Sequence, residues 1–173
     1  MTGERSVGLI VMVKLPPGGD YGDEYLAILQ RRGFFNTEKM MAETYPNIYQ
    51  VTVHGKAKIG ETAKNAMIRE CFEEMGDCFG AQVAKSEDHL RQVYHRCGDN
   101  QILIYAIELP LEILSKIRLH GSSGGIHPLR RGAAKFILVT DTGEKHCSPQ
   151  NNEAIVMFSD EKLAVLSAFS MFN

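Results

Sequence analysis

The chain has 173 residues, 44% of them hydrophobic and 23% charged, with a formal net charge of −2. That length and composition predict one globular domain over residues 1–173, with a substantial core. The balance of charge provides no basic field for a polyanion, so nucleic-acid binding is not expected, while small acidic or metal-complexed ligands are compatible with it.

The first apolar run, Val7 to Leu15, follows Arg5, is interrupted by Lys14 and is closed by Pro16-Pro17. With no small-residue cleavage site after it, it reads as a buried strand rather than a signal peptide, and no other run reaches membrane-spanning length. "PPGGDYGD" is a turn, and Glu24 to Arg31 completes a hairpin. Asn36 to Asn47 is an irregular or partly helical connector, and Ile48 to Gly55 alternates β-branched and polar residues as a third strand. Thr62 is placed to cap a helix that runs to about Met75 and stops at Gly76.

Further strands are expected at Val93–Tyr94 and Gln101–Leu109, followed by a short helix over Leu111–Leu119. "HGSSGGIHPLRRG", residues 120–132, reads as a mobile loop, and Lys135 to Thr140 as a strand. The chain closes with a strand and a helix that Ser159 would cap. This mixture predicts an α+β fold, helices packed on a mixed sheet. Four cysteines (Cys71, Cys78, Cys97, Cys147) are expected as reduced thiols of a cytoplasmic protein. His95–Cys97 and His146-Cys147 lack CxxC spacing, so a zinc site is not the favoured reading.

The chemistry concentrates between His54 and Asp77, "HGKAKIGETAKNAMIRECFEEMGD". On a helix, with Glu70 at zero, Glu74 falls at about +40° and Glu73 at about −60°, so three carboxylates share one face. Ala63, Ala66 and Met67 precede them on that face, and Ile68, Phe72 and Met75 form an apolar stripe opposite, so packing is expected on both sides. Like charges at these spacings repel, and Arg69 offsets only one of them through its i,i+4 relation to Glu73. A hard divalent cation satisfies the remainder: clustered carboxylates are oxygen ligands for Mg²⁺ or Mn²⁺, with water and phosphate completing the shell. Gly55 and Gly60 let the preceding segment curl, and the His54 backbone carbonyl is one more candidate metal ligand.

In spacing, Gly55, Glu61, Arg69, Glu70, Glu73, Glu74 and Gly76 resemble the Nudix box, G-x5-E-x7-R-E-U-x-E-E-x-G-U, where U is bulky and apolar. Cys71 and Asp77 depart from it at the two U positions. The resemblance implies an α/β/α sandwich in which a mixed sheet packs between helices. It also implies Mg²⁺- or Mn²⁺-dependent hydrolysis of a nucleoside diphosphate linked to another moiety. Glu70, Glu73 and Glu74 would bind metal, Arg69 would hold a glutamate in place, and Glu61 would brace the loop with Gly55 and Gly76 as structural glycines. The resemblance implies a general base that is either a box glutamate or one on a later loop, for which Glu153 is the candidate, with Glu144 behind it.

Outside the box, Arg31 and Arg32 are candidate substrate-binding residues, and Arg130-Arg131 a second basic pair. Tyr45 is a candidate for base stacking, with Tyr49 expected in the core. Two alternatives are an enzyme like isopentenyl diphosphate isomerase, which would use a cysteine and a glutamate, and a non-catalytic nucleotide-binding module. The absence of tryptophan and the unbroken glutamate set disfavour both. A small-molecule nucleotide or diphosphate is the expected partner, without a membrane, and a homodimer is compatible with the sequence.

Overall fold

A computed structural model describes residues 3–20, 22, 24–121, 123–132, 135–138 and 154–173. Its strands are β1 (Arg5–Lys14), β2 (Tyr25–Arg32), β3 (Phe35–Asn36), β4 (Met41–Ala42), β5 (Tyr49–Gln50), β6 (Val53–Lys56), β7 (Arg91–Arg96), β8 (Gln101–Glu108), β9 (Ser123–Arg130), β10 (Lys135–Leu138) and β11 (Ala154–Met157). The α-helices are α1 (Ala63–Met75), α2 (Asp77–Lys85) and α3 (Ser159–Met171). No helix among the described residues is long and apolar enough to cross a membrane.

Strands β5-β2-β1-β8-β7 form one sheet, with β6 also on β1 and β9 also on β2. β1 and β8 are parallel and the other pairs antiparallel, so the sheet is mixed as expected. Side chains alternate across it. Along β1, Val7, Leu9, Val11 and Val13 face a core built with Met67, Cys71 and Met75 of α1 and Phe79 and Val83 of α2. Ile10 and Met12 face a second core with Ala164, Val165, Ala168 and Phe169 of α3. Two layers of helix therefore enclose the sheet, and the α/β/α sandwich holds.

One edge of β1 carries two partners in succession: Ser6 to Leu9 pair with β6, and Val11 to Lys14 with β2. The sheet splits between them, where the third expected strand is broken into β5 and β6. Thr52 fills the gap. Its hydroxyl accepts the Val11 N–H at 2.9 Å and donates to the Ile28 carbonyl, completing backbone bonds that diverging strands cannot make with each other.

Several elements differ from expectation. Within the 120–132 segment, expected to be a mobile loop, Ser123–Arg130 is instead strand β9, which pairs antiparallel with β2 from Leu26↔Arg130 to Arg32↔Ser123. Helix α2 was not anticipated. Gly76, at φ 90°, ends α1 and turns the chain directly into α2, whose first-turn Asp77 suits a helix N-terminus. The buried stripe of α1 is Ala66, Met67, Cys71 and Met75. Phe72 instead lies over α2, where a Cβ on Gly80 would fall 2.4 Å from its Cγ. The small Cys71 and the polar Asp77 thus fit their places. Residues 111–116 form a 3₁₀ helix, and Ser159 is the first residue of α3 rather than its cap. Cys71 is buried, while Cys78 and Cys97 are exposed free thiols.

Candidate active site

Thr62 caps α1, its hydroxyl accepting the Asn65 N–H at 3.2 Å, and the helix projects its acidic face beneath the end of β6. Arg69 organises that face. Its Nε donates to Glu61 Oε1 at 2.9 Å and its Nη2 to Glu61 Oε2 at 3.0 Å, a bidentate pair. Nη2 also reaches the Lys56 carbonyl at 2.9 Å, and Nη1 reaches Glu70 Oε1 at 2.8 Å and Glu73 Oε2 at 3.1 Å. Arg69 thus holds three glutamates rather than one. Glu61 is a brace: with the guanidinium and the Lys58 N–H on its carboxylate, its pKa is lowered to about 2.

Glu70 and Glu74 experience the opposite pull. Burial, ahead of any partner, raises the pKa of Glu70, with Arg69 opposing. Burial and then repulsion from Glu70 push Glu74 up to about 8, and the His54 N–H, 3.4 Å from Oε2, only partly offsets them. Glu73 is half exposed. Gly55 makes room for this arrangement, because a Cβ there would fall 2.1 Å from Glu70 Cδ. What His54 is seen to offer the acidic cluster is its N–H.

Glu70, Glu73 and Glu74 line a cavity of about 410 Å³ together with Gln30, Arg32 and His120. His120 is brought there by its N–H, which bonds the Glu74 carbonyl at 3.1 Å. Arg32 also lines an adjoining cavity of about 270 Å³, whose wall includes Tyr45, Gln50, His54, Phe158 and Glu161. Tyr45 and Phe158 meet edge to face there, with ring centroids 5.2 Å apart. The partly buried His54 ring has its pKa lowered to about 4 by burial and by Arg32 and Lys56.

The arginines separate. Arg32, which pairs with Glu43 at 3.5 Å, lines both cavities, whereas Arg31 lies on the other face of β2 and donates to the Gly124 carbonyl at 3.0 Å. Neither member of the second basic pair lines them. Arg130 binds Glu24 at 3.0 Å, and Arg131 binds the Phe172 carbonyl at 2.8 Å. Tyr49 packs on His127, with centroids 5.1 Å apart. Glu153 and Glu144 lie outside the described residues, as do His146 and Cys147; Cys97 Sγ is 3.5 Å from the His95 ring. Sequence reasoning missed Gln30, Gln50, His120 and Glu161. Gln30 and Glu161 carried a signal, a polar residue at a position whose periodicity points into the core.

Among the described residues, no three His, Cys, Asp or Glu side chains are grouped so as to hold a metal ion. Arg69 Nη1 lies where Glu70 and Glu73 converge. The donor set nevertheless suits a hard divalent cation. It consists of carboxylates on one rigid helix, and the Glu74 carboxylate makes one hydrogen bond, at 3.4 Å, among the described residues.

No protein-family model matches the chain, and no curated protein matches it by sequence. Solved structures do match, and they define the fold as that of MutT/Nudix proteins. A MutT/Nudix family protein from Enterococcus faecalis aligns with TM-score 0.63 at 13% identity, over 99% of this chain and 62% of its own. A bifunctional NMN adenylyltransferase/ADP-ribose pyrophosphatase from Francisella tularensis, solved with AMP and a manganese ion, aligns with TM-score 0.55 at 11% identity over 99% of this chain and 42% of its own. The chain therefore spans less than two thirds of either protein.

Proposed function

We propose that this chain is a Nudix hydrolase, a divalent-metal-dependent pyrophosphohydrolase acting on a nucleoside diphosphate derivative. The observation that carries the reading is the convergence of Glu70, Glu73 and Glu74 on one cavity, with Arg69 bridging Glu70 and Glu73 and Gly55 clearing space for Glu70. The fold shared with Nudix proteins supports it.

Glu70, Glu73 and Glu74 would hold the cation. When bound, Mg²⁺ or Mn²⁺ supplies charge neutralisation of the diphosphate and acidification of the attacking water. The chain's own residues do the rest. Arg32, between the two cavities, would bind a phosphoryl oxygen and orient the anhydride for attack at phosphorus. The adjoining cavity would take the group attached to the diphosphate, with Tyr45 and Phe158 as its aromatic wall. Arg69 and Glu61 would keep the glutamates from separating under their own repulsion. The proton of the water would pass to a box glutamate or to Glu153.

An isomerase mechanism would require a thiol at the diphosphate, and among the described residues no cysteine lines the acidic cavity. The test is turnover of a panel of nucleoside diphosphate derivatives with and without Mg²⁺. Release of a nucleoside monophosphate only when metal is present is expected. No hydrolysis of any compound with Mg²⁺ or Mn²⁺ would leave the binding-module reading in its place.

A further inference from the structure

Gln30 of β2 and Gln50 of β5 are directly opposed in the sheet, and both are nearly inaccessible, at 3% and 4% exposure. Gln50 Nε2 donates to Gln30 Oε1. This bond sets the orientation of the Gln30 amide: with its oxygen occupied by Gln50, its nitrogen must face the other way. Gln30 Nε2 is buried and has no hydrogen-bond partner among the described residues. Such an unmade bond is costly, and a native structure tolerates it where something else is meant to complete it.

An acceptor stands close by. Gln30 and Glu74 line the same cavity, and the Gln30 amide is near enough for its hydrogen-bonding pull to favour the ionised form of Glu74, although no bond between them reaches hydrogen-bond geometry. Glu74 is itself under-bonded: among the described residues the His54 N–H, 3.4 Å away, is the one donor in hydrogen-bond geometry on its carboxylate. A buried donor without an acceptor in hydrogen-bond geometry therefore lies beside a partly buried carboxylate with spare lone pairs.

We propose that Gln30 is a positioning residue for Glu74, its amide turned by Gln50 so that Nε2–H holds one carboxylate oxygen while the other faces a bound divalent cation. Gln50 acts one step further out. The inference rests on the metal-dependent reading above, but it concerns how the ligand is held rather than which reaction follows. Gln50 also lines the adjoining cavity, so the device spans the wall between the two spaces.

The test is Mn²⁺ affinity without nucleotide, measured by calorimetry and by the electron paramagnetic resonance of free Mn²⁺. Partners that orient metal ligands in this way are typically worth 10- to 100-fold in metal affinity. Gln30→Leu is expected to weaken Mn²⁺ binding by about that factor. The double variant Gln30→Leu/Gln50→Leu, which leaves neither amide orphaned, is expected to lose as much. Gln50→Leu alone should lose less, because the freed Gln30 amide can still turn its nitrogen to Glu74. Should the double variant not fold, Gln30→Asn, which withdraws the amide by one methylene, is read in the same way. Wild-type Mn²⁺ affinity in the folded variants would overturn the positioning role and leave the hydrolase reading standing. No Mn²⁺ binding by the wild-type protein would overturn both.

Discussion

Gly55 and Glu70 are in such close approach that a methyl group on the glycine would occupy the place of the glutamate's carboxyl, 2.1 Å from Cδ and 2.4 Å from Cγ. The backbone of β6 thus passes directly over the acidic face of α1. The obstructed atoms are the far end of a flexible side chain, so Gly55→Ala should displace Glu70 rather than unfold the chain. The expected result is a 10- to 100-fold loss of Mg²⁺-dependent turnover and metal affinity, with a thermal midpoint shifted by only a few degrees. A variant with wild-type metal affinity would mean that the position of Glu70 is unimportant.

Arg69 uses its fork on both oxygens of Glu61 while Nη1 bridges Glu70 and Glu73. A lysine ammonium is a compact point charge and cannot satisfy these positions together. Arg69→Lys should therefore cost about 1–3 kcal/mol, measured by denaturant unfolding, because it leaves partly buried carboxylates unpaired. Turnover should fall further than stability, since the glutamates would be free to separate. A variant equal to wild type in both measurements would show that the network does not position the site.

Much of this was legible in the sequence because it is local. The glycine, arginine and glutamate spacing lies within one strand end and one helix, so helical periodicity alone brings Glu70, Glu73 and Glu74 together. What was missed depends on distant packing. Gly76 reads as a helix stop, yet it redirects the chain into α2, where Gly80 makes room for Phe72. The Gly- and Ser-rich segment before Arg130 reads as a loop, but β2 recruits it as β9, Pro128 included. Arg31 and Arg32 looked equivalent, and the period-2 alternation of a strand separates them. Gln30 and Gln50 meet only through strand pairing across 20 residues, which no local pattern announces.

Glu73→Gln and Glu74→Gln keep the size of the side chain and remove its charge. Each should reduce Mg²⁺-dependent turnover by orders of magnitude while leaving the circular dichroism spectrum unchanged. The loss should not be rescued by a large excess of substrate, because the carboxylates act on the metal rather than on the nucleotide. Full activity in both variants would refute the site assignment.

Glu161 allows a pH prediction that does not involve the reaction. It is 7% exposed, and its Oε1 accepts the Val51 N–H at 3.1 Å. Burial is the largest influence on it and raises its pKa from 4.5 to about 7, opposed by the Val51 N–H and Arg32. The folded state therefore retains a proton that the unfolded chain releases near pH 4.5. The stabilisation is complete below that pH and is lost progressively as pH rises to about 7, at up to ~1.4 kcal/mol per pH unit. His54, with its pKa lowered to about 4, acts in the opposite sense as pH falls below 6.5, so wild-type stability alone will not show the effect. The difference between wild type and Glu161→Gln will, because the amide oxygen can still accept the Val51 N–H. Relative to wild type, the variant should gain roughly 3 kcal/mol in unfolding free energy between pH 4.5 and 7. A difference that stays flat across that window would mean that Glu161 is ionised in the folded protein and that burial does not govern it.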